Sequence, residues 1–418
     1  MPAPKKKKPA RRSTRLIARP WMSLLGFAAV VGVAYLPYAL RLTYFRDDWY
    51  YAYDAMVGPA GIFHAMFASD RPARGFFYEL YLAWFGTAAL PYHLGMYFWR
   101  LLGGLATYWL LIQLWPRQQT AALGAGWLFA LYPGFTWWVA GIEYQPMAAS
   151  AALMVVSFAL SVQSLRASLP LPRYGSMLGA ILMGWIYLAL VEYAAGMEVF
   201  RLLLIHLEAN RSQRTLPRRE ALLRSLRAGW PNLLIPAGFL FWRVFFFNNE
   251  RKATDISLQL GNFFSDPLQV GAHWLLNSLL SLINVVLSAW VAPLMGSFFS
   301  GKLRETLPAV AVGVAAVALA WLVFRLSATA EQPIAETEDA AWPGRALALG
   351  AAGLLVGILP VIIANRYVSF PSYSHYALPA SLGLVILLAG SIAHVSGRSA
   401  RRTIWLGLIA LSAFTHQG

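Results

Sequence analysis

Two adjacent aspartates, Asp47 and Asp48, follow the first long apolar segment of the chain and lie within the aromatic stretch 44–51. Carboxylates at the exit of a membrane span are unfavourable unless they are solvated, paired or used in chemistry. Successive side chains do not share one helical face, so we expect at most one of them to point into a site and the other to bond locally or to cap the helix that follows. The alternative is that both cap the helix that follows.

Two further acids interrupt apolar sequence. Glu143 lies in a tryptophan-rich segment after the third apolar block, and its residue type fits a site residue and a solvated loop residue equally well. Glu192 interrupts the apolar run 177–207, where an acid is either paired or functional. Glu198 and Arg201 are three residues apart and can pair with each other. Glu192 has no such local partner, and we predict a catalytic role for it.

The segment 365–376 is rich in tyrosine, serine and arginine between two apolar blocks, and it contains Arg366, Tyr367 and His375. A guanidinium binds phosphate through two parallel hydrogen bonds. An arginine at the end of a span can also be a snorkelling anchor. We predict that Arg366, Tyr367 and His375 bind substrate.

The composition is that of an integral membrane protein. Hydrophobic residues make up 58% of the 418 residues and charged residues only 12%, against about 25% charged in soluble proteins. The apolar residues form long blocks, and a bilayer core needs about 20 such residues per helix. Since porin-like alternation is not found, the spans are helices. We predict an all-α integral membrane protein with about 11–13 transmembrane helices.

The charge distribution orients the chain. Residues 1–20 form a basic arm, and residues 21–418 form a single polytopic domain with a catalytic outer loop at about 42–77. The middle of that loop is expected to form a short interfacial helix. Basic segments stay in the cytoplasm, so we predict a plasma (inner) membrane protein with a cytoplasmic N-terminus.

The later spans give two conflicting topologies. Strict alternation after the seventh span puts 365–376 inside and the arginines of 398–402 outside. The positive-inside rule instead puts the arginines of 398–402 inside and 365–376 outside. In that version a segment between 231 and 298 must re-enter the membrane or cross it twice. We favour the second version.

Several functional classes are excluded or weakened by the sequence. The net charge of +16 lies in short segments beside spans, without the aromatic-interleaved platform of a nucleic-acid-binding protein. The chain has no cysteine, which excludes disulfides and thiolate chemistry. The histidines lack metal-ligand spacing, so no metal site is predicted; a divalent cation on the outer carboxylates stays open. Gly103-Gly104 indicates close helix packing rather than a phosphate loop.

Several short motifs, in order, resemble the glycosyltransferase C superfamily, multi-span enzymes that use polyprenyl-phosphate sugars. Arg46-Asp47-Asp48 resembles that family's acidic motif in the first outer loop. Val191-Glu192-Tyr193 resembles its Lys-Glu motif, with Val in place of Lys. The stretch from Arg366-Tyr367 through Pro371 is similar to its late Arg-Tyr motif. Further motifs similar to those of bacterial membrane mannosyltransferase-like proteins are Ser69-Asp70-Arg71-Pro72, Pro91-Tyr92-His93 and Tyr132-Pro133-Gly134, in which Tyr replaces His.

The resemblance implies an inverting transfer of a sugar from a polyprenyl phosphate to an acceptor hydroxyl on the outer membrane face. The donor, an acceptor glycan, lipid or protein, and membrane lipids would be the partners. Asp47 or Asp48 would act as the base and Arg366 would stabilise the leaving phosphate; Arg71 and Glu143 join the predicted substrate-binding residues. The alternatives are a transporter or flippase for a lipid-linked substrate, and a non-catalytic membrane subunit.

Overall fold

The computed structural model describes residues 20–68, 71–211, 216–247, 256–299, 303–328 and 341–416. Across these ranges the regular structure consists of eighteen α-helices with short 3₁₀ and π segments, and no strand. A helix satisfies its own backbone hydrogen bonds, which lipid cannot do, so long apolar blocks fold in this way. The helices are α1 (Pro20–Ala39), α2 (Asp48–Val57), α3 (Ile62–Phe67), α4 (Pro72–Phe85), α5 (Ala89–Leu114), α6 (Gln119–Ala130), α7 (Gln145–Arg166), α8 (Pro170–Leu190), α9 (Met197–Ala209), α10 (Arg218–Gly229), α11 (Leu234–Phe245), α12 (Ile256–Ser265), α13 (Pro267–Ile283), α14 (Ala289–Phe299), α15 (Leu303–Ala328), α16 (Trp342–Ile363), α17 (Leu378–Ala393) and α18 (Arg398–Phe414).

Six helical segments of the described chain are long and apolar enough to cross a bilayer. They are Gln145–Arg166, Pro170–Leu190, Pro267–Gly296, Thr306–Ser327, Trp342–Ile363 and Ser374–Ala393. The other predicted spans are also helical, but several are short: α6 and α11 have 12 residues each and α9 has 13. The prediction of an all-α protein with several membrane-suited helices agrees with this architecture.

The predicted outer loop is itself helical. It folds into α2, α3 and α4, where a short interfacial helix was expected. Phe63, Tyr78 and Ile142 are buried in a small core beneath these helices. Trp49, Tyr53 and Met56 of α2 point outward and are more than half exposed. Large exposed aromatic side chains of this kind suit the headgroup layer of a membrane.

One end of the bundle, here called the acidic end, gathers Asp47, Glu143 and the segment 365–376. Trp137 joins them, because its ring lies 6.3 Å from that of Phe45 and its Nε1 donates to the carbonyl of Ser372 at 3.1 Å. Three loops that are distant in sequence therefore share this end.

The opposite end, here called the basic end, gathers arginines. Arg117 and the arginines of 398–402 line one cleft, and Arg211 Nη1 donates to the carbonyl of Gln113 at 3.2 Å. Helix α5 connects the two ends, since its residue His93 lies 3.0 Å, through Nε2, from the carbonyl of Thr43 at the acidic end.

These contacts decide between the two topologies. Residues 365–376 lie at the same end as Asp47, and the arginines of 398–402 lie at the same end as Arg117. Between 231 and 298 the chain reaches the acidic end twice, once at Arg243, which pairs with Glu192, and again at Asn284, which donates to the carbonyl of Val368 at 2.7 Å. The second version, in which part of this segment re-enters or crosses twice, agrees with the structure.

Close helix packing explains the glycine pair. A Cβ on Gly104 would lie 2.8 Å from the carbonyl oxygen of Gly126, and one on Gly103 would lie 2.7 Å from the ring of Phe129. Only glycine lets α5 approach α6 so closely. The packing interpretation of Gly103-Gly104 is confirmed.

A buried ion pair ties α9 to α7 and α8. Arg201, which has no exposed surface, donates through Nε and Nη2 to the two carboxylate oxygens of Glu198 at 2.8 and 2.9 Å. Arg201 Nη1 also donates to Ser161 Oγ at 2.8 Å, and the Tyr187 hydroxyl donates to Glu198. The predicted pairing of Glu198 with Arg201 is confirmed.

Replacing Glu198 by Gln should lower the free energy of unfolding by about 3–5 kcal/mol, because Arg201 would keep a buried charge without its counter-ion. Unfolding of the purified protein in mixed micelles, followed by circular dichroism, measures the change. Glu220→Gln on the exposed face of α10 is the control and should change it by less than about 0.5 kcal/mol. Equal effects of the two substitutions would contradict a stabilising role for the pair.

Candidate active site

The carboxylate of Asp48 joins the first loop to the second. Asp48 is 1% exposed, and its Oδ1 accepts from the backbone N–H groups of Ile142 at 3.0 Å and Glu143 at 2.9 Å. Its Oδ2 accepts from the N–H of Phe45 at 3.4 Å. Burial raises the pKa of Asp48 to about 6, against the opposing effect of these backbone amides and that of Gly141. Asp48 is thus the structural aspartate of the two, and it bonds both locally, to Phe45, and to the distant second loop, where its carboxylate positions residues 141–143.

Asp47 remains exposed at the start of α2. It occupies the N-cap position, but its side chain makes no capping hydrogen bond there, so the capping alternative is wrong. Arg46 before it has φ of +50°, in the left-handed region that non-glycine residues rarely adopt. The Arg46 guanidinium lies 4.6 Å from the ring centroid of Trp137. The turn therefore presents Asp47 to solvent while it holds Arg46 against the second loop.

Glu143 faces Asp47 from the second loop. Its side chain is partly buried, and its carbonyl accepts from the hydroxyl of Tyr78 at 2.9 Å. Burial, and after it the negative charges of Asp47 and Asp48, raise the pKa of Glu143 to about 7, while Arg46 and Arg74 oppose the rise. A carboxyl group with a pKa near neutrality can gain and lose a proton at working pH.

Helix α4 supplies two guanidiniums at its first turn. Arg71 is the N-cap residue, and Arg74, one turn later, is 5% exposed with its Nε donating to the carbonyl of Leu190 at 2.8 Å. Burial lowers the pKa of Arg74, and the charge of Arg71 lowers it further. Within the described ranges neither arginine has a carboxylate within 4 Å. A buried guanidinium without a carboxylate partner among the described residues favours an anionic ligand.

The late segment is fastened to its neighbours on both sides. Val368 exchanges hydrogen bonds with the end of α13, donating to Ser281 Oγ at 3.1 Å and accepting from Asn284 Nδ2 at 2.7 Å. Ser374 Oγ accepts from Thr136 Oγ1 at 2.9 Å.

These bonds place the side chains of the late segment beside the second loop. Arg366 is half-buried, and its guanidinium lies 5.5 Å from the ring centroid of Tyr373. Tyr367 is 40% exposed. Asn365, just before Arg366, has φ of +54°, so both left-handed non-glycine residues of the described chain directly precede a predicted site residue. Strain of this kind is concentrated at functional sites.

His375 lies where the segments meet. The positive charges of Arg71, Arg74 and Arg366 all act on its ring, although they come from two distant parts of the chain. Its ring centroid is 5.2 Å from that of Tyr144. His375 is 9% exposed, and its Nδ1 has no hydrogen-bond partner in the described structure. An unsatisfied buried nitrogen beside three guanidiniums indicates a place for a ligand.

Glu192, unlike Asp47 and Glu143, is held in an ion pair. Its Oε2 forms an ion pair with Arg243 Nη1 of α11 at 2.7 Å. The next residue, Tyr193, reaches His375, since its hydroxyl donates to the carbonyl of His375 at 3.3 Å. Glu192 is therefore paired with a residue 51 positions away, and it anchors the site's wall to α11.

Sequence reasoning gave Arg46 and Tyr193 no role of their own, although both lie in its motifs, and it missed Arg74 and Tyr144 as site residues. The spacing of Arg71 and Arg74, three residues apart before an apolar helix, was a usable signal because it puts both on one helical face. The motif residue Asp70 lies outside the described residues. Within them, no three His, Asp or Glu side chains are grouped so as to hold a metal ion, and the divalent cation stays an untested prediction.

Family models, curated proteins and solved structures were compared with the chain, and none matches it. The chemistry of the site therefore rests on its own residues.

Asp48→Ala should lower the free energy of unfolding by about 2–4 kcal/mol, because each buried N–H left without its acceptor costs about 1–3 kcal/mol. Asp47→Ala is the matched control, one residue away, and should change it by less than about 0.5 kcal/mol. Thermal unfolding in detergent compares the two variants. A larger loss for Asp47→Ala would reverse the roles assigned to the two aspartates.

Proposed function

We propose that this protein is an inverting glycosyltransferase that moves a sugar from a polyprenyl-phosphate donor to an acceptor hydroxyl at the outer membrane face. We further propose a glycosyltransferase C-like fold of about 11–13 transmembrane helices. In this proposal the protein lies in the plasma membrane with the N-terminus in the cytoplasm and the acidic end outside, because the basic end then faces inward.

One observation carries the proposal: carboxylates and guanidiniums from separate parts of the chain meet at one end of a membrane bundle. Asp47 and Glu143 lie close enough for the charge of Asp47 to raise the pKa of Glu143. The positive charges of Arg71, Arg74 and Arg366 all act on the buried ring of His375. Transfer from a glycosyl phosphate needs both a base for the incoming hydroxyl and cations for the departing phosphate.

The reaction follows from these roles. The acceptor oxygen attacks the anomeric carbon from the face opposite to the phosphate, and its bond to that carbon forms as the carbon–oxygen bond to phosphate breaks. The bonding electron pair leaves with the phosphate, and the arginines stabilise the negative charge. The proton of the acceptor hydroxyl goes to the Asp47–Glu143 pair.

Helix α4 offers a path for the lipid part of the donor. Phe76, Leu80 and Trp84, four residues apart, form an exposed apolar stripe on it. The stripe follows directly from the turn that carries Arg71 and Arg74. A donor whose phosphate reaches these arginines can lay its isoprenoid chain along the stripe, and that binding helps to position the anomeric carbon.

Asp47→Asn and Glu143→Gln should each lower the rate of transfer about 10²–10⁴-fold, the usual contribution of a general base. The assay follows release of polyprenyl phosphate from polyprenyl-phosphate mannose or glucose by the purified protein. Asp54→Asn, on the same helix as Asp47, is the control and should keep its activity. Full activity in both site variants with unchanged thermal stability would favour a transporter or a non-catalytic subunit.

The rate of transfer should fall as the pH drops below about 7. Glu143 must be ionised to accept a proton, and because its pKa is raised to about 7 it becomes protonated below that pH. The pH dependence is measured as the rate of transfer between about pH 5 and 9, since folded proteins are usually stable over most of that range. Residual activity in Glu143→Gln should lack the inflection near neutrality, and an unchanged profile would show that another group is responsible.

A further inference from the structure

A cleft of about 280 Å³ opens at the basic end, far from the candidate active site. It lies between the start of α6, the start of α16, the end of α17 and the start of α18. Among the described residues that line it, the charged ones are four arginines, Arg117, Arg398, Arg401 and Arg402, and none is an acid. Trp342 and Trp405 form part of its wall.

The arginines of α18 occupy an unfavourable place. Arg398, Arg401 and Arg402 share one face of the helix in its first turns, and the first turn contains no acid. The N-terminus of a helix carries a partial positive charge, so cations there are repelled by the helix as well as by one another. The N-terminus of α6 borders the same cleft through Gln119. The N-terminus of α16 borders it through Trp342, whereas α17 ends there at Ala393 and adds a partial negative charge. Three helix N-termini and four guanidiniums outweigh this one C-terminus, so the potential in the cleft is positive.

Other arginines at this end have counter-ions. Arg166 and Arg211 each form an ion pair with Glu208 at 3.3 Å. Within the described parts of the chain no carboxylate lies within 4 Å of the four cleft arginines. Arg166 and Arg211 thus share an acid partner, whereas the cleft arginines have no such partner among the described residues, and their charge can act on an anion.

We propose that this cleft binds the phosphate group of an anionic phospholipid. Several guanidiniums can each give a phosphate diester paired hydrogen bonds. The cleft opens between helices suited to a membrane, and tryptophan is typical of the headgroup layer. Basic pockets between spans on the cytoplasmic side are where anionic headgroups bind. The volume is at the lower limit of small-ligand pockets, which suits a headgroup.

The test is the thermal unfolding of purified protein in mixed micelles at constant total lipid, in which phosphatidylglycerol replaces phosphatidylcholine stepwise. The unfolding temperature should rise and saturate with phosphatidylglycerol, because a ligand of the folded state stabilises it by mass action. In the variant R401Q/R402Q the lipid should bind about 100-fold more weakly, since removing each charge-assisted hydrogen bond weakens binding roughly tenfold.

Two further variants separate the cleft from general charge effects. R218Q/R219Q removes the same charge from the exposed start of α10, outside the cleft, and should respond as the wild type does. Arg117→Gln changes only the loop before α6 and should weaken binding about tenfold, so the proposal stays testable if R401Q/R402Q does not fold. Equal responses of all variants and the wild type would overturn the proposal.

Two more arms identify the source of the anion. Inorganic phosphate at the same phosphate concentration should not reproduce the rise; if it does, the ligand is soluble and the lipid assignment is wrong. In the sequence, Glu331, Glu336, Glu338 and Asp339 precede Trp342. A variant with these four acids replaced by amides should respond to phosphatidylglycerol as the wild type does. A response that appears only in that variant would show that the chain supplies its own anion.

Discussion

The buried carboxylate of Asp48 is the contact on which the candidate site depends. It accepts from backbone amides 94 and 95 residues further along the chain and thereby fixes the distance between the first and second loops. Hydrogen bonds in a site shielded from water are stronger and more sensitive to geometry than exposed ones. Because Glu143 is one of the two residues held in this way, the position of its side chain opposite Asp47 follows from the Asp48 contact. Burying Asp48 costs free energy, but its hydrogen bonds hold Glu143 in place in the candidate site.

The arginines of this chain fall into groups that separate structural roles from functional ones. Arg201 and Arg243 each have an acid partner, at 2.8 and 2.7 Å. The first pair lies within α9, and the second joins α11 to the turn at Glu192. Arg74 has only a carbonyl partner, so its charge is buried but not neutralised by the described residues. A hydrogen bond to a carbonyl fixes the direction of the guanidinium but does not cancel its charge, which can then act on a ligand.

The sequence was a good guide to the helices and an incomplete guide to the site. Long apolar blocks predict helices because lipid leaves the backbone no other way to satisfy its hydrogen bonds. The choice between Asp47 and Asp48 could not be predicted, since it depends on amides that only the folded chain brings within reach. For the same reason the partner of Glu192 was invisible: Arg243 is 51 residues away. The position of 365–376 was ambiguous because charge counting orients loops only on average, whereas the contact of Trp137 with Ser372 places this one directly.

The adjacency of two aspartates has a physical reason in this structure. Arg46 adopts a left-handed conformation, which costs about 1–3 kcal/mol and persists only where its surroundings hold it. Asp48 holds the turn from one side by accepting from the N–H of Phe45, and the ring of Trp137 holds the Arg46 guanidinium from the other. If Asp48 released these amides, the turn could relax and Asp47 would rotate away from Glu143. One aspartate is buried so that the strained turn persists, and the strained turn is what keeps the other aspartate exposed.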